Sequence, residues 1–228
     1  MIPSFSVYLF DVDGTLVDSA ADICGAIQGA LACTSGKEVP FEVLKGYIGR
    51  HLSEMFQELF PGATPEQREP FIEAYRRLYP ARNHAATKVY PEVKSVLSSL
   101  PGKKATATMK STATTKVVLE LFGLLPYFDH VQGTDGFPAK PHPDVIYTAL
   151  ETLGADENDC LFVGDSTSDM EAAQRAGVKS CAVTYGYGRR EDLARWKPDY
   201  WIDDLRQLLP AEDAATVQVL SEELPAGR

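Results

Sequence analysis

The chain has 228 residues, 44% hydrophobic and 24% charged, a soluble globular balance sized for one large domain or one domain with an insert. Its formal net charge of -10 opposes binding to nucleic acid or anionic membranes, which need a basic footprint, but leaves room for a small anion where positive charge is concentrated locally. Met1–Val7 carry no basic start and no secretory apolar run, and no stretch approaches the length of a membrane span. Cys24, Cys33, Cys160 and Cys181 form no CxxC pair, so buried reduced thiols in a cytoplasmic protein are expected.

Taken in chain order, Val7-Tyr8-Leu9-Phe10 is a short apolar run stopping at Asp11, read as a buried strand. Residues 20–83 then change character. Ile23, Ile27, Ala30 and Leu31 repeat at helical spacing, as do Leu52, Met55, Phe56 and Leu59. Thr64 with Pro65 marks a helix start, and Pro70 predicts a kink or restart. No strand pattern occurs in this block, which predicts a helical insert.

Strands and helices alternate beyond residue 89. A helix follows Pro91, with Val93, Val96, Leu97 and Leu100 on one face, and residues 104–108 read as a strand. Val117, Val118, Leu121 and Phe122 form a helical face closed by Gly123, and residues 131–133 read as a weak strand. The helix through Val145, Ile146, Ala149, Leu150 and Leu153 closes at Gly154. Residues 160–163 (strand), 169–176 (helix ending at Gly177), 180–184 (strand) and 201–202 (strand) complete the pattern, and the acidic residues 211–228 read as a frayed helix or tail. Such alternation implies a parallel sheet covered on both faces.

Ligands of open parallel sheets lie beyond the carboxyl ends of the strands. At those ends stand Asp11-Val12-Asp13-Gly14-Thr15, Thr108-Met109-Lys110-Ser111 and Gly164-Asp165-Ser166-Thr167-Ser168-Asp169, with Lys140 in the loop Ala139-Lys140-Pro141-His142-Pro143-Asp144. Clustered aspartates repel one another unless a cation lies among them, and a hard divalent ion with oxygen ligands suits that role. Asp165 and Asp169, four apart at a helix start, could share one ion, or could act only as a cap and a first-turn acid.

The ordered set Asp11-Val12-Asp13-Gly14-Thr15-Leu16, Thr108, Lys140-Pro141-His142-Pro143-Asp144 and Gly164-Asp165-Ser166-Thr167-Ser168-Asp169 resembles the haloacid dehalogenase superfamily. The resemblance implies an α/β fold: a Rossmann-like parallel-sheet core, residues 1–16 and 84–228, with an inserted α-helical cap, residues 17–83. It implies a magnesium-dependent phosphatase with Asp11 as nucleophile and Asp13 as general acid, then base. Asp13 must therefore begin protonated, favoured by burial or by neighbouring carboxylates. Thr108 would donate to a phosphate oxygen, and Lys140 would neutralise charge at the transferring group. Mg2+ would take the Asp11 carboxylate, the Asp13 backbone carbonyl, Asp165 and Asp169. Gly14 allows the tight turn and Thr15 supports the loop.

Met109 stands where relatives commonly place Asn, so Lys110 is expected to compensate. The Ile48-Gly49 pair before Arg50 and the Tyr185-Gly186-Tyr187-Gly188-Arg189-Arg190 segment look like the phosphoglycolate phosphatase branch, with Arg50 a candidate for the carboxylate of phosphoglycolate; an exposed arginine is the alternative. Asp13 argues against dehalogenase and phosphonatase chemistry. A β-phosphoglucomutase-like phosphomutase and a pyrophosphatase are the enzymatic rivals. A phospho-aspartate receiver or a binding protein are the non-enzymatic ones, and oligomeric state is open.

Overall fold

The computed structural model describes residues 2–210, so the acidic segment 211–228 lies outside the described residues. Its central sheet comprises β1 (Val7–Phe10), β4 (Lys103–Thr106), β5 (Cys160–Gly164), β6 (Lys179–Val183) and β7 (Tyr200–Ile202). All four pairings are parallel, in the order β4-β1-β5-β6-β7. Phe10 lies level with Thr106 on one side and Val163 on the other. The three strands therefore end together, and the segments after them emerge at one edge.

Successive side chains of a strand point to opposite faces, and β1 feeds two cores accordingly. Tyr8 and Phe10 join Val93, Val96 and Leu97 of α5 (Val93–Ser99) on one face. Val7 and Leu9 join Val145, Ile146 and Ala149 of α7 (Asp144–Leu153) on the other. α6 (Thr112–Leu121) and α8 (Thr167–Ala176) complete the two helical layers, and α9 (Arg190–Leu193) precedes β7.

The helical residues between Asp18 and Lys88 build a third core of their own. It brings together α1 (Ala20–Thr34), α2 (Phe41–Lys45), α3 (Leu52–Leu59) and α4 (Pro65–Ala81) around Ile27, Leu31, Phe56 and Phe71. Thr64 and Gln67 form the capping box that starts α4. A two-stranded antiparallel ribbon, β2 (Val17–Asp18) with β3 (Lys88–Val89), gathers the chain where it leaves and re-enters the sheet layer. The sequence pattern contains no hint of this ribbon, because two residues per strand are too few for periodicity.

Three local expectations are corrected. Pro70 does not restart the helix, since α4 runs unbroken through it; sitting near the start, it removes a single backbone bond. Residues 131–133 form no strand, and the neighbouring backbone pairs only through one bridge between Ala105 and His130. Thr106 Oγ1 instead takes both backbone groups of Gln132, donating to its carbonyl and accepting from its N–H at 2.9 Å each. Of the four thiols three are buried, but Cys33 is exposed.

Candidate active site

The loop after β1 turns back on itself within a few residues. Leu16 and Val17 both donate backbone bonds to Val12, and Gly14 donates to Val17 at 2.8 Å. Gly14 holds φ +86°, and a Cβ there would collide with the Asp165 carboxylate. Only glycine satisfies both demands, which explains its place between Asp13 and Thr15. The buried Thr15 hydroxyl faces the same carboxylate at 3.4 Å.

Asp11, at the end of β1, Asp165, just past β5, and Asp169, in the first turn of α8, are all buried. Each offers a carboxylate oxygen, and these oxygens lie within 4.8 Å of one another. Lys140 enters the group from the loop before α7. Its Nζ donates to Asp11 Oδ1 at 2.8 Å, to Asp169 Oδ1 at 2.5 Å and to the Ala107 carbonyl at 2.8 Å. The other Asp169 oxygen caps α8, accepting from the backbone N–H and hydroxyl of Ser166. Asp169 thus serves as cap and cluster member at once. Thr108 is buried in the loop after β4, one residue beyond the carbonyl that Lys140 engages.

Burial drives the electrostatics of the trio. It pushes the Asp11 carboxyl up to about 7, with Lys140 pulling the other way and Asp169 and Asp13 adding repulsion. The Asp165 carboxyl is lifted well above the ordinary range by burial first and then by Asp169 and Asp11. Burial alone would depress the Lys140 ammonium, yet Asp11 and Asp169 raise it above the usual lysine range. Three buried carboxylates against one ammonium leave uncompensated negative charge among hard oxygen donors. That donor set fits a hard divalent cation.

The Asp13 carboxylate turns away from the trio, so three carboxylates converge rather than the four expected. Asp13 Oδ2 pairs with Lys110 Nζ at 2.8 Å, and Oδ1 accepts from the Ser19 hydroxyl. The Lys110 ammonium also donates to the Tyr79 hydroxyl at 2.6 Å and lies 4.5 Å from the centroid of that ring. Asp13 and Tyr79 raise the Lys110 ammonium against the lowering effect of burial. Lys110 therefore joins the sheet edge to α4, a contact beyond the reach of sequence spacing.

A cavity of about 660 Å³ opens between the helical block and the sheet edge, with Asp13, Met109 and Lys110 on one wall and Arg50, Arg68 and Arg76 on the other. Arg50 lies where the sequence places it, but its guanidinium is engaged by Glu58, approaches Glu54 at 3.9 Å and lies over the Tyr47 ring. Arg76 is exposed and makes no ion pair among the described residues. Sequence reasoning passed over Arg76. Its signal was a cation one position after Tyr75, on the α4 turn that carries Tyr79.

Comparison with known proteins agrees with this geometry. Residues 8–183 match the model of the haloacid dehalogenase-like hydrolase family. A phosphoglycolate phosphatase of Pseudomonas aeruginosa is 33% identical over 94% of this chain and 82% of its own length. A phosphoglycolate phosphatase of Aquifex aeolicus is 34% identical over 79% of this chain and 85% of its own length. Among solved structures, a haloacid dehalogenase-like family hydrolase of Streptococcus pneumoniae superposes with TM-score 0.82 at 25% identity, covering 98% of this chain and all of that one. No helix of the described residues is long and apolar enough to cross a membrane. The chain belongs to the haloacid dehalogenase-like hydrolase family, as one of its phosphatases.

Proposed function

We propose that the chain hydrolyses a small phosphate monoester through a phosphoryl group carried on Asp11, with phosphoglycolate the leading substrate. The observation that carries this reading is the buried trio Asp11, Asp165 and Asp169, two of which, Asp11 and Asp169, are bridged by Lys140. Two curated relatives named phosphoglycolate phosphatase, each at least 33% identical, support the substrate.

Asp11, Asp165 and Asp169 would hold Mg2+, together with the backbone carbonyl of Asp13. The ion supplies positive charge that offsets repulsion between a carboxylate and a phosphate dianion. Lys140 contributes to the same end from the protein side and keeps Asp11 oriented. A carboxylate oxygen of Asp11 attacks phosphorus as the bond to the leaving alcohol breaks, and Asp13, entering the step protonated rather than as the carboxylate that pairs with Lys110 here, gives that alcohol its proton. Asp13 then takes a proton from water as water attacks phosphorus and frees Asp11. Thr108 donates to a phosphate oxygen. Residues 17–83 act as the cap, which walls the reacting groups from bulk solvent and presents the arginine-lined side of the cavity. We assign the remainder, 1–16 and 84–228, to the catalytic core.

A screen of phosphorylated metabolites with magnesium, scored by phosphate release, tests the substrate. Asp11→Asn tests the mechanism: it is expected to fold and to lose activity by about 10^4-fold or more. Near-normal turnover by that variant defeats the assignment.

A further inference from the structure

The Tyr185-Gly186-Tyr187-Gly188 segment after β6 has no part in the mechanism above, yet it is pressed against it. A Cβ at Gly186 would collide with the Asp165 side chain, and one at Gly188 with the Asp165 carbonyl. The Tyr187 N–H donates to Asp165 Oδ2 at 2.7 Å. The two tyrosine side chains reach in the opposite direction. Tyr185 donates its hydroxyl proton to the Thr15 carbonyl at 2.9 Å. The Tyr187 hydroxyl accepts from the backbone N–H of Ser19 at 2.7 Å and of Ala20 at 3.1 Å, and donates to Asp18 Oδ1 at 3.0 Å. Lys45 of the helical block lies 5.5 Å from the centroid of the same ring.

Asp18, Ser19 and Ala20 are the residues by which the chain leaves the ribbon and enters α1. Ser19 in turn donates its hydroxyl to Asp13. One residue therefore bonds a trio carboxylate through its backbone and the entrance of the helical block through its side chain. Two rotatable bonds separate the arms, and three hydrogen bonds at the hydroxyl hold the far end of the ring.

We propose that Tyr187 is a positioning residue coupling the state of Asp165 to the joint at Asp18–Ala20, so that a cation held at Asp165 tightens the entrance of the helical block. This rests on reading Asp165 as a cation ligand. The step is conformational only: filling the trio fixes the Asp165 carboxylate, that carboxylate fixes the Tyr187 N–H, and the phenol carries the constraint to the Ser19 and Ala20 amides.

Hydrogen exchange of the Ser19 and Ala20 amides, measured on the full chain, tests it without any turnover. Tyr187→Phe keeps the N–H to Asp165 and removes the acceptor. Exchange is expected to rise about tenfold at Ser19 and less at Ala20, whose amide also faces Asp18 Oδ1 at 3.4 Å. Magnesium is expected to slow that exchange severalfold in the parent protein and to leave it unchanged in Tyr187→Phe. A second pair keeps the test independent of the metal: Asp165→Ala should speed the same amides, and the double variant with Tyr187→Phe should add nothing further. Parent-like exchange in Asp165→Ala, or additive effects in the double variant, overturns the coupling. Should magnesium bind nowhere, the cation reading fails, and the Asp165→Ala pair alone decides whether the two arms communicate.

Discussion

The sheet edge and the helical block both carry charged side chains, but under opposite conditions. At the sheet edge, Asp11, Asp169 and Lys140 have side chains no more than 7% exposed, and each charge answers to buried neighbours. On the block, Arg50 is 32% exposed and its glutamate partners are about half exposed, so water screens the pairs. Deleting a charge from the first region strands its partner in a low-dielectric interior. Deleting one from the second lets solvent fill in. The contrast separates buried charges that tolerate no vacancy from exposed ones that do.

After Asp11→Asn, the largest effect is expected from Lys140→Met, which leaves Asp11 and Asp169 facing each other without their ammonium. Phosphate release should fall about 10^3-fold, and stability by about 3 kcal/mol in chemical denaturation without magnesium. A variant as stable and active as the parent breaks the contrast at its strongest point.

Asp22, at the junction of the two regions, should give an intermediate effect. It is buried and accepts from Arg82 Nε at 3.1 Å, the Ala86 N–H at 3.0 Å and the Thr87 hydroxyl at 2.8 Å. Burial pushes its carboxyl up, but the bonds from Thr87, Ala86 and Arg82 outweigh burial and hold it below the usual range. Because the folded value lies below the unfolded one, the stabilisation is complete above about pH 4 and is lost as pH falls through the folded value. Asp22→Asn should therefore cost about 2 kcal/mol at pH 7, with the difference from the parent shrinking under acid. A pH-independent difference removes the ionised carboxylate from the account.

The smallest effects belong to the arginine wall. Arg76→Met should raise KM for phosphoglycolate about tenfold, and Arg50→Ala only about twofold, since Glu58 already engages Arg50. A carboxylate-free phosphate ester run beside phosphoglycolate sharpens the result. Equal losses on both esters by both variants would show that this wall does not read the carboxylate.

How much of this could be read from the sequence follows the same division. Asp11, Asp165 and Asp169 were legible because strand ends in a parallel sheet converge by topology, whereas Lys140, in a loop that follows no strand, was marked only by its family motif. The Asp13–Lys110–Tyr79 contact was not, since Tyr79 reaches Lys110 only through the packing of α4 over the sheet edge. No spacing in the sequence marks Asp22, because its partners lie 60 to 65 residues away. The strand expected at residues 131–133 failed for a local reason, because a threonine hydroxyl took the backbone groups that a ladder would have used.

Asp22 also has a mechanical meaning. Its carboxylate holds the start of α1 to the returning chain at Arg82, Ala86 and Thr87, so both crossings between sheet and helices are fastened at one point. One carboxylate therefore serves as a shared clasp for the outgoing and the incoming chain, so that losing it loosens both, while the Lys110–Tyr79 bond ties the helices to the sheet edge a second time.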